Sequence, residues 1–315
     1  MKLTLLDYKT FGYDLDLDVL KAFGEVEVYD MTEDSMVEER IKDSDIVLLN
    51  KVKLTAGNLK SAKNLKLICE FATGYDNIDT EYCKKRNIAV CNVVGYSTNS
   101  VAQLTITLAL NLMGRMKEYT HYVSDGSYTK SGLHNYLDPV YHQMEGKVWG
   151  IVGCGNIGMK VKLIAEALGC KVIVNKRTPV DGMECVDIDT LVEKSDIISI
   201  HTPLTDATKN LINKDRILKM KKDTILINVA RGLVADEGAL ADAVKNDKIG
   251  GIGIDVFSKE PLSEDNPLYE VRNYPNVILT PHIAWASSEA RNLCLEETVK
   301  NIKAFLNGES YNRVV

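Results

Sequence analysis

The sequence predicts an α/β protein made of two doubly wound parallel-sheet domains. Short β-branched runs alternate with helix-length amphipathic stretches through most of the chain, as parallel βαβ units require. The series of strand-like runs opens twice, at the first residues and again at "KVWGIVG". A length of 315 residues also exceeds the usual size of one hydrophobic core and favours two domains.

In the first third the expected strands are "KLTLLDY", "EVEVYD", "DIVLLN", "LKLICEFA" and "IAVCNV". Between them lie helical stretches such as "SMVEERIKD", where Ser35 and Glu38 have capping-box spacing, and "TEYCKKRN". The segment "STNSVAQLTITLALNLMGRMKEYTHYVSDG" crowds apolar residues into a long helical pattern that ends in Gly and Asp, and it predicts a buried connecting helix. The second series then runs through "KVWGIVG", "KVIVN", "DIISIH", "TILINVA", "GGIGIDVF" and "NVILT". A final amphipathic helix, Glu289 to Asn307, is most simply used to carry the chain back to the first domain. The expected boundaries are therefore 1–98 with 287–315 for one domain and 99–286 for the other.

Bulk composition narrows the function. With 45% apolar and 26% charged residues the chain is an ordinary globular protein. A net charge of -6, with no concentrated basic tract, argues against nucleic acid or an anionic membrane as partner. Seven cysteines without CxxC pairs read as reduced, mostly buried thiols, which suggests a cytoplasmic address. Neither a signal peptide nor a membrane span is read from the chain. No HExxH, Cys/His cluster or carboxylate-rich loop points to a metal.

The first chemical motif is "GIVGCGNIGMKVKLIAEALG", in which Gly153, Gly155 and Gly158 form a GxGxxG after an apolar strand and at the start of a helix. Gly153 permits the tight turn, Gly155 lets a pyrophosphate reach the backbone, and Gly158 lets helix and strand pack closely. The amides of Asn156 and Ile157 then face phosphates at the positive helix end. This domain is expected to be a Rossmann dinucleotide-binding domain.

About 20 residues further on, such a fold usually places an acid on the ribose hydroxyls of NAD. Here the strand "KVIVN" ends in Asn175, followed by Lys176, Arg177 and Thr178. A carboxylate about 4 Å from a 2′-phosphate would cost about 4 kcal/mol for each pair of unit charges at an effective dielectric of about 20, and the phosphate carries nearly two. Its absence removes a veto on NADP, and the two cations and the hydroxyl could bind that phosphate. The expectation is NADP preferred, with NAD possible through Asn175.

Three later segments bring charged groups to successive strand ends: "NVARGLVADEGAL", "GIDVFSKEP" and "LTPHIAWASSEAR". Ligands of open α/β sheets sit outside the carboxyl ends of strands, so Arg231, Glu260 and His282 become neighbours by topology. Reduction of a 2-oxo acid needs a cation for the carboxylate and carbonyl, a proton donor for the nascent alkoxide, and a hydride source. An arginine fork suits the first task, and a histidine suits the second, since a nearby carboxylate favours its charged form. Taken singly, each residue is more simply structural; with a nucleotide fold beside them the balance reverses.

Taken in order and spacing, "GCGNIG", "HTPLT", "INVARGLVAD", "GIDVF", "KEP" and "TPHIAW" resemble the D-isomer-specific 2-hydroxyacid dehydrogenases. The resemblance extends to "FATGYDNID" and "GYSTNSVAQ" and so covers nearly the whole chain. It implies that Arg231 binds substrate, that His282 is the acid-base residue and that Glu260 is its partner. It implies that the amides of the loop Ala72, Thr73, Gly74 and Tyr75 hold the substrate carboxylate, with Trp285 near the substrate. Cofactor contacts are expected from His201, Thr202 and Pro203, from Val229, Ala230 and Arg231, and from Asp255 and His282. The substrate domain is expected to be flavodoxin-like and built from both termini, and the protein to be a homodimer through its nucleotide-binding domain. "HIAWASSEAR" and "NVVGYSTNSVAQ" look most like hydroxypyruvate and glyoxylate reductases, also called glycerate dehydrogenases. Reduction of pyruvate or a larger 2-oxo acid stays open. Formate or phosphite oxidation fits less well because related formate enzymes carry an amide at the position of Glu260. A dinucleotide-sensing scaffold like the C-terminal-binding-protein corepressors is disfavoured by the lack of a disordered tail and of an evident peptide-docking feature.

Overall fold

The computed structural model describes residues 1–178 and 182–315. Two compact units divide the chain: residues 1–97 with 286–315, and residues 98–285.

The first unit holds β1 (Lys2–Leu5), β2 (Glu25–Val28), β3 (Ile46–Leu49), β4 (Leu67–Glu70) and β5 (Ala89–Cys91), all parallel in the order β2-β1-β3-β4-β5. That is the flavodoxin-like order. Central strands "IVLL" and "LICE" are buried at every residue because helices cover both faces, whereas edge strand "EVEV" has no buried residue. The helix Ser288–Leu306 belongs to this unit; Ser287 caps it by accepting from the Ala290 N–H at 3.2 Å, and Asn301 Nδ2 donates to the Asn92 carbonyl at 2.9 Å. Beyond it the chain returns to β5, where the Val314 N–H donates to the Val90 carbonyl at 2.8 Å. The capping box expected at Ser35 and Glu38 does not form. A 3₁₀ turn, Asp34–Met36, leads into the helix Val37–Ile41 without a side-chain cap, because burial of Val37 and Ile41 fixes that short helix and leaves Ser35 inside the turn.

Two wholly buried acids stand at the carboxyl edge of this sheet. Burial pushes the Asp7 carboxyl up, while the N–H groups of Lys51, Asn50 and Val52, at 2.6, 3.0 and 3.2 Å, pull it down and fix the loop after β3. Burial pushes Glu70 well above the usual carboxylate range, against a hydrogen bond from Asn77 Nδ2 at 3.1 Å. Its Oε1 has no partner among the described residues. Because the folded state favours the protonated acid, the cost of Glu70 is absent below the unfolded value near 4.5 and grows as pH rises above it. Glu70→Gln is therefore expected to be as stable as the parent near pH 4 and more stable at pH 8 by on the order of 1–3 kcal/mol, read as a higher Tm there. Parallel melting curves at both pH values check this; an equal gain at pH 4 would contradict it.

The second unit holds β6 (Val148–Val152), β7 (Lys171–Asn175), β8 (Ile197–Ile200), β9 (Ile225–Asn228), β10 (Gly251–Ile254) and β11 (Val277–Leu279), all parallel in the order β11-β10-β9-β8-β6-β7. A one-residue bridge from Cys185 to Val174 continues the sheet beyond β7. Strand order reverses between β6 and β8, and a ligand crevice is expected at that point. Instead of one long connecting helix, Thr98–Met113 is followed by Met116–Ser124, with Arg115 at φ 52° between them. The first helix buries Val101, Ala102, Leu108, Ala109 and Leu112; the second buries nothing, since its apolar residues no longer fall on the sheet-facing stripe. His121 lies on this second helix.

Candidate active site

The glycine turn between β6 and the helix Asn156–Ala167 is dictated by space. Gly153 has φ 86°, and a Cβ there would sit 2.8 Å from the His201 carbonyl oxygen and 2.9 Å from the Thr202 nitrogen. A Cβ on Gly158 would sit 2.4 Å from the Gly153 carbonyl oxygen. Around Gly155, by contrast, a Cβ would meet no protein atom within 4 Å. Gly155 is also the residue before the helix and offers no side-chain cap, so the first amides, of Asn156, Ile157 and Gly158, lack partners within the helix. An open cradle under uncapped amides at a positive helix end fits the pyrophosphate of a dinucleotide.

At the end of β7, Asn175 Nδ2 donates to the Val186 carbonyl at 3.0 Å. The amide is thereby oriented, with Oδ1 left as an acceptor. Lys176 is half-buried; Arg177 and Thr178 are exposed.

Arg231, Glu260 and His282 lie in the loops that follow the adjacent strands β9, β10 and β11, whose registers pair Asn228 with Ile254 and Ile254 with Leu279. Asn228 is buried and braces the Arg231 turn from both ends: its Oδ1 accepts from the Ala230 N–H at 3.1 Å and its Nδ2 donates to the Arg231 carbonyl at 2.9 Å. The guanidinium Nη1 donates to the Ala230 carbonyl at 2.8 Å. Next in the chain, Gly232 packs against the loop that carries Glu260; a Cβ there would lie 2.0 Å from the Phe257 carbonyl carbon. Glu260 accepts from the Phe257 N–H at 3.0 Å through Oε1 and meets His282 Nδ1 at 2.7 Å through Oε2. The pair is partly exposed, at 24% for the imidazole and 34% for the carboxylate.

His282 has φ 56°, a conformation a non-glycine residue keeps only when its surroundings impose it. Asp255 imposes it. The Asp255 carbonyl accepts from the His282 N–H at 2.9 Å, and its wholly buried carboxylate accepts from the Thr280 hydroxyl at 2.6 Å and from the Ile283 and Ala284 N–H groups at 2.9 and 2.8 Å. Burial pushes this carboxyl up, while those donors and the nearby His282 pull it down. Asp255 thus positions the His282 loop.

The other expected residues fall as follows. His201, Thr202 and Pro203 follow β8, the first two lying against the Gly153 turn, and Val229 and Ala230 follow β9. Trp285 is half-buried against the core of the second unit. Residues 72–75 lie in the first unit, after β4. There the Val93 N–H donates to the Ala72 carbonyl at 2.9 Å and Thr73 Oγ1 to the Val93 carbonyl at 2.8 Å, while the N–H groups of Thr73, Gly74 and Tyr75 have no protein acceptor among the described residues. Asn228, Gly232 and Thr280 were not singled out from the sequence; Asn228 and Gly232 flank Arg231 in "NVARG", and the signal was their proximity to it.

The family model described as "D-isomer specific 2-hydroxyacid dehydrogenase, NAD binding domain" matches residues 106–284. The chain is 40% identical over 276 residues to a glycerate dehydrogenase of Methylorubrum extorquens, covering 88% of this chain and 87% of that one. It is 36% identical over 323 residues to a hydroxypyruvate reductase of Blautia hydrogenotrophica, covering 100% and 99%. A crystal structure of a D-lactate dehydrogenase from Aquifex aeolicus, complexed with NAD and lactic acid, superposes with a TM-score of 0.85 at 30% identity, over 98% of this chain and 96% of that one.

Proposed function

Since this chain belongs to the D-isomer-specific 2-hydroxyacid dehydrogenases, oxidoreductases that use a nicotinamide cofactor, we propose that it reduces hydroxypyruvate or glyoxylate with NADPH as the preferred donor. The observation that carries the reading is the 2.7 Å pair of His282 Nδ1 and Glu260 Oε2, on the same sheet edge as the uncapped glycine turn. When bound, the nicotinamide supplies the hydride. Glu260 accepts at Nδ1, so the Nε2 side of the imidazole is left to hand a proton to the alkoxide that forms on the substrate. Arg231 is tethered by one nitrogen to its own turn, and its remaining donors hold the carbonyl and carboxylate of the substrate. Val229, Ala230 and Thr202 line the cofactor.

The test is consumption of NADPH and of NADH with hydroxypyruvate, glyoxylate, pyruvate and a bulkier 2-oxo acid. Faster turnover of the bulkier acid would move the assignment to a larger substrate, and no turnover with either cofactor would remove it.

NADPH preference rests on Lys176, Arg177 and Thr178 after β7, and on an amide at position 175 that brings no negative charge. Arg177→Ala is expected to raise KM for NADPH about tenfold and to leave NADH within about twofold. Equal effects on both cofactors would return Arg177 to the solvent.

A homodimer formed by the second unit is also proposed. Leu137 and Val140 are 74% and 70% exposed, close in sequence to exposed Leu133 and Tyr141. Exposed apolar side chains of this kind are expected to be covered by a second copy. Leu137→Glu should reduce the mass in light scattering to that of a monomer, and a parent protein that is already monomeric would end this part. The seven cysteines are all free, which supports a reducing, cytoplasmic setting; among the described residues no helix is long and apolar enough to cross a membrane.

A further inference from the structure

A second polar group in the same unit plays no part in the proton transfer assigned above. Trp149, in β6, and Ser199, in β8, are wholly buried on neighbouring strands, with Ile151 paired to Ser199. The Trp149 indole N–H donates to Ser199 Oγ at 2.9 Å, and Ser199 Oγ lies 3.0 Å from His201 Nε2. At the far side of the ring, His201 Nδ1 is buried and has no partner among the described residues.

The direction of this relay follows from what each group can do. An indole nitrogen only donates, so Ser199 must accept from it. Among the described residues, the serine proton then has one acceptor available to it, His201 Nε2, and the ring proton must stand on Nδ1. In the reverse arrangement, with Nε2–H donating to Ser199, the serine proton and the Nδ1 lone pair would both be stranded in the interior. The first arrangement leaves one group unsatisfied and the second leaves two. A ring protonated on both nitrogens is disfavoured as well, because burial pushes this imidazole down to about 3.

Position says what the leftover donor serves. His201 is the first residue after β8, at the point where strand order reverses, and its carbonyl occupies the space a Cβ on Gly153 would need. A buried donor without a protein acceptor, on a residue whose main chain packs against the glycine turn, calls for an acceptor brought by a ligand. We infer that Trp149 and Ser199 are positioning residues that lock His201 in its Nδ1–H tautomer, as a neutral hydrogen-bond donor to the bound nicotinamide dinucleotide. This rests on the dinucleotide reading of the glycine turn.

The test uses the full-length protein labelled with ¹⁵N-histidine, which has five histidines to resolve. Long-range ¹H–¹⁵N spectra are recorded for the parent, Ser199→Ala, Ser199→Thr and Trp149→Phe, each with and without saturating NADPH. In the parent, His201 is expected to show the Nδ1–H pattern from neutral pH down to about pH 5, without titrating. Ser199→Thr keeps the hydroxyl and should keep the pattern; Ser199→Ala should lose it. If Ser199→Ala does not fold, Trp149→Phe reads the same lock by freeing the serine to turn. Saturating NADPH should shift the Nδ1–H resonance, and Ser199→Ala should raise KM for NADPH on the order of tenfold with kcat within about twofold. An Nε2–H pattern in the free parent overturns the lock, and an Nδ1–H resonance that ignores saturating cofactor overturns its ligand. Failure of calorimetry to detect NADPH or NADH binding would remove the dinucleotide reading and the ligand with it, whereas the tautomer is decided by spectra of the free protein alone.

Discussion

His282→Gln is expected to bind NADPH with near-parental affinity and to turn over a 2-oxo acid at least two orders of magnitude more slowly, the scale of losing a general acid (about 10²–10⁴-fold). Glutamine retains an amide that can still reach Glu260, so the loop held by Asp255 has no reason to move. What it cannot do is release a proton. Cofactor binding by calorimetry together with kcat separates the two effects. Turnover within about threefold of the parent would reject the role. A parallel fall in cofactor affinity would show that the variant had disturbed the fold of the edge instead.

The second large effect is expected from a residue that touches no reactant. Gly232 lies outside the positive-φ set, so alanine meets no backbone strain there. The obstacle is contact: its Cβ would fall 2.0 Å from the Phe257 carbonyl carbon and 2.2 Å from the Ser258 nitrogen, both main-chain atoms. Backbone cannot swing aside as a lysine tip would, so the Arg231 turn and the loop that carries Glu260 must separate. Glu260 is tied to that loop through the Phe257 N–H and to His282 on its other oxygen, and the displacement passes to the imidazole. Gly232→Ala should cost roughly 1–3 kcal/mol of stability through overpacking. It should also lower kcat/KM about 100-fold, since a misplacement of about 1 Å in a catalytic group has that effect. Melting curves and kinetics with the best 2-oxo acid test both parts. A fully active, less stable variant would show that the two loops are not coupled.

Among the described residues the strand segments could be read in advance because most are buried parallel strands, written locally as short β-branched runs between turn signals. Helix ends were harder. The break at Arg115 depends on where the apolar stripe stops facing the sheet, and the missing cap at Ser35 depends on how Val37 and Ile41 are held. Both are settled by neighbours distant in sequence. The same division holds at the site. Arg231, Glu260 and His282 could be named because each follows an adjacent strand of one sheet, whereas the hold of Asp255 on the His282 loop shows only when three donors from 280–284 are seen to surround it.

By itself the sequence determined the α/β class, the glycine turn and the chemical types brought to the strand ends, because periodicity and residue chemistry are properties of short stretches. Only the tertiary structure decided which oxygen of Glu260 meets His282, that Gly232 has no room for a methyl group, and that the Ser199 proton has His201 to go to. Those are distances between main chains and side chains that lie far apart in sequence, and close packing fixes them to within an ångström.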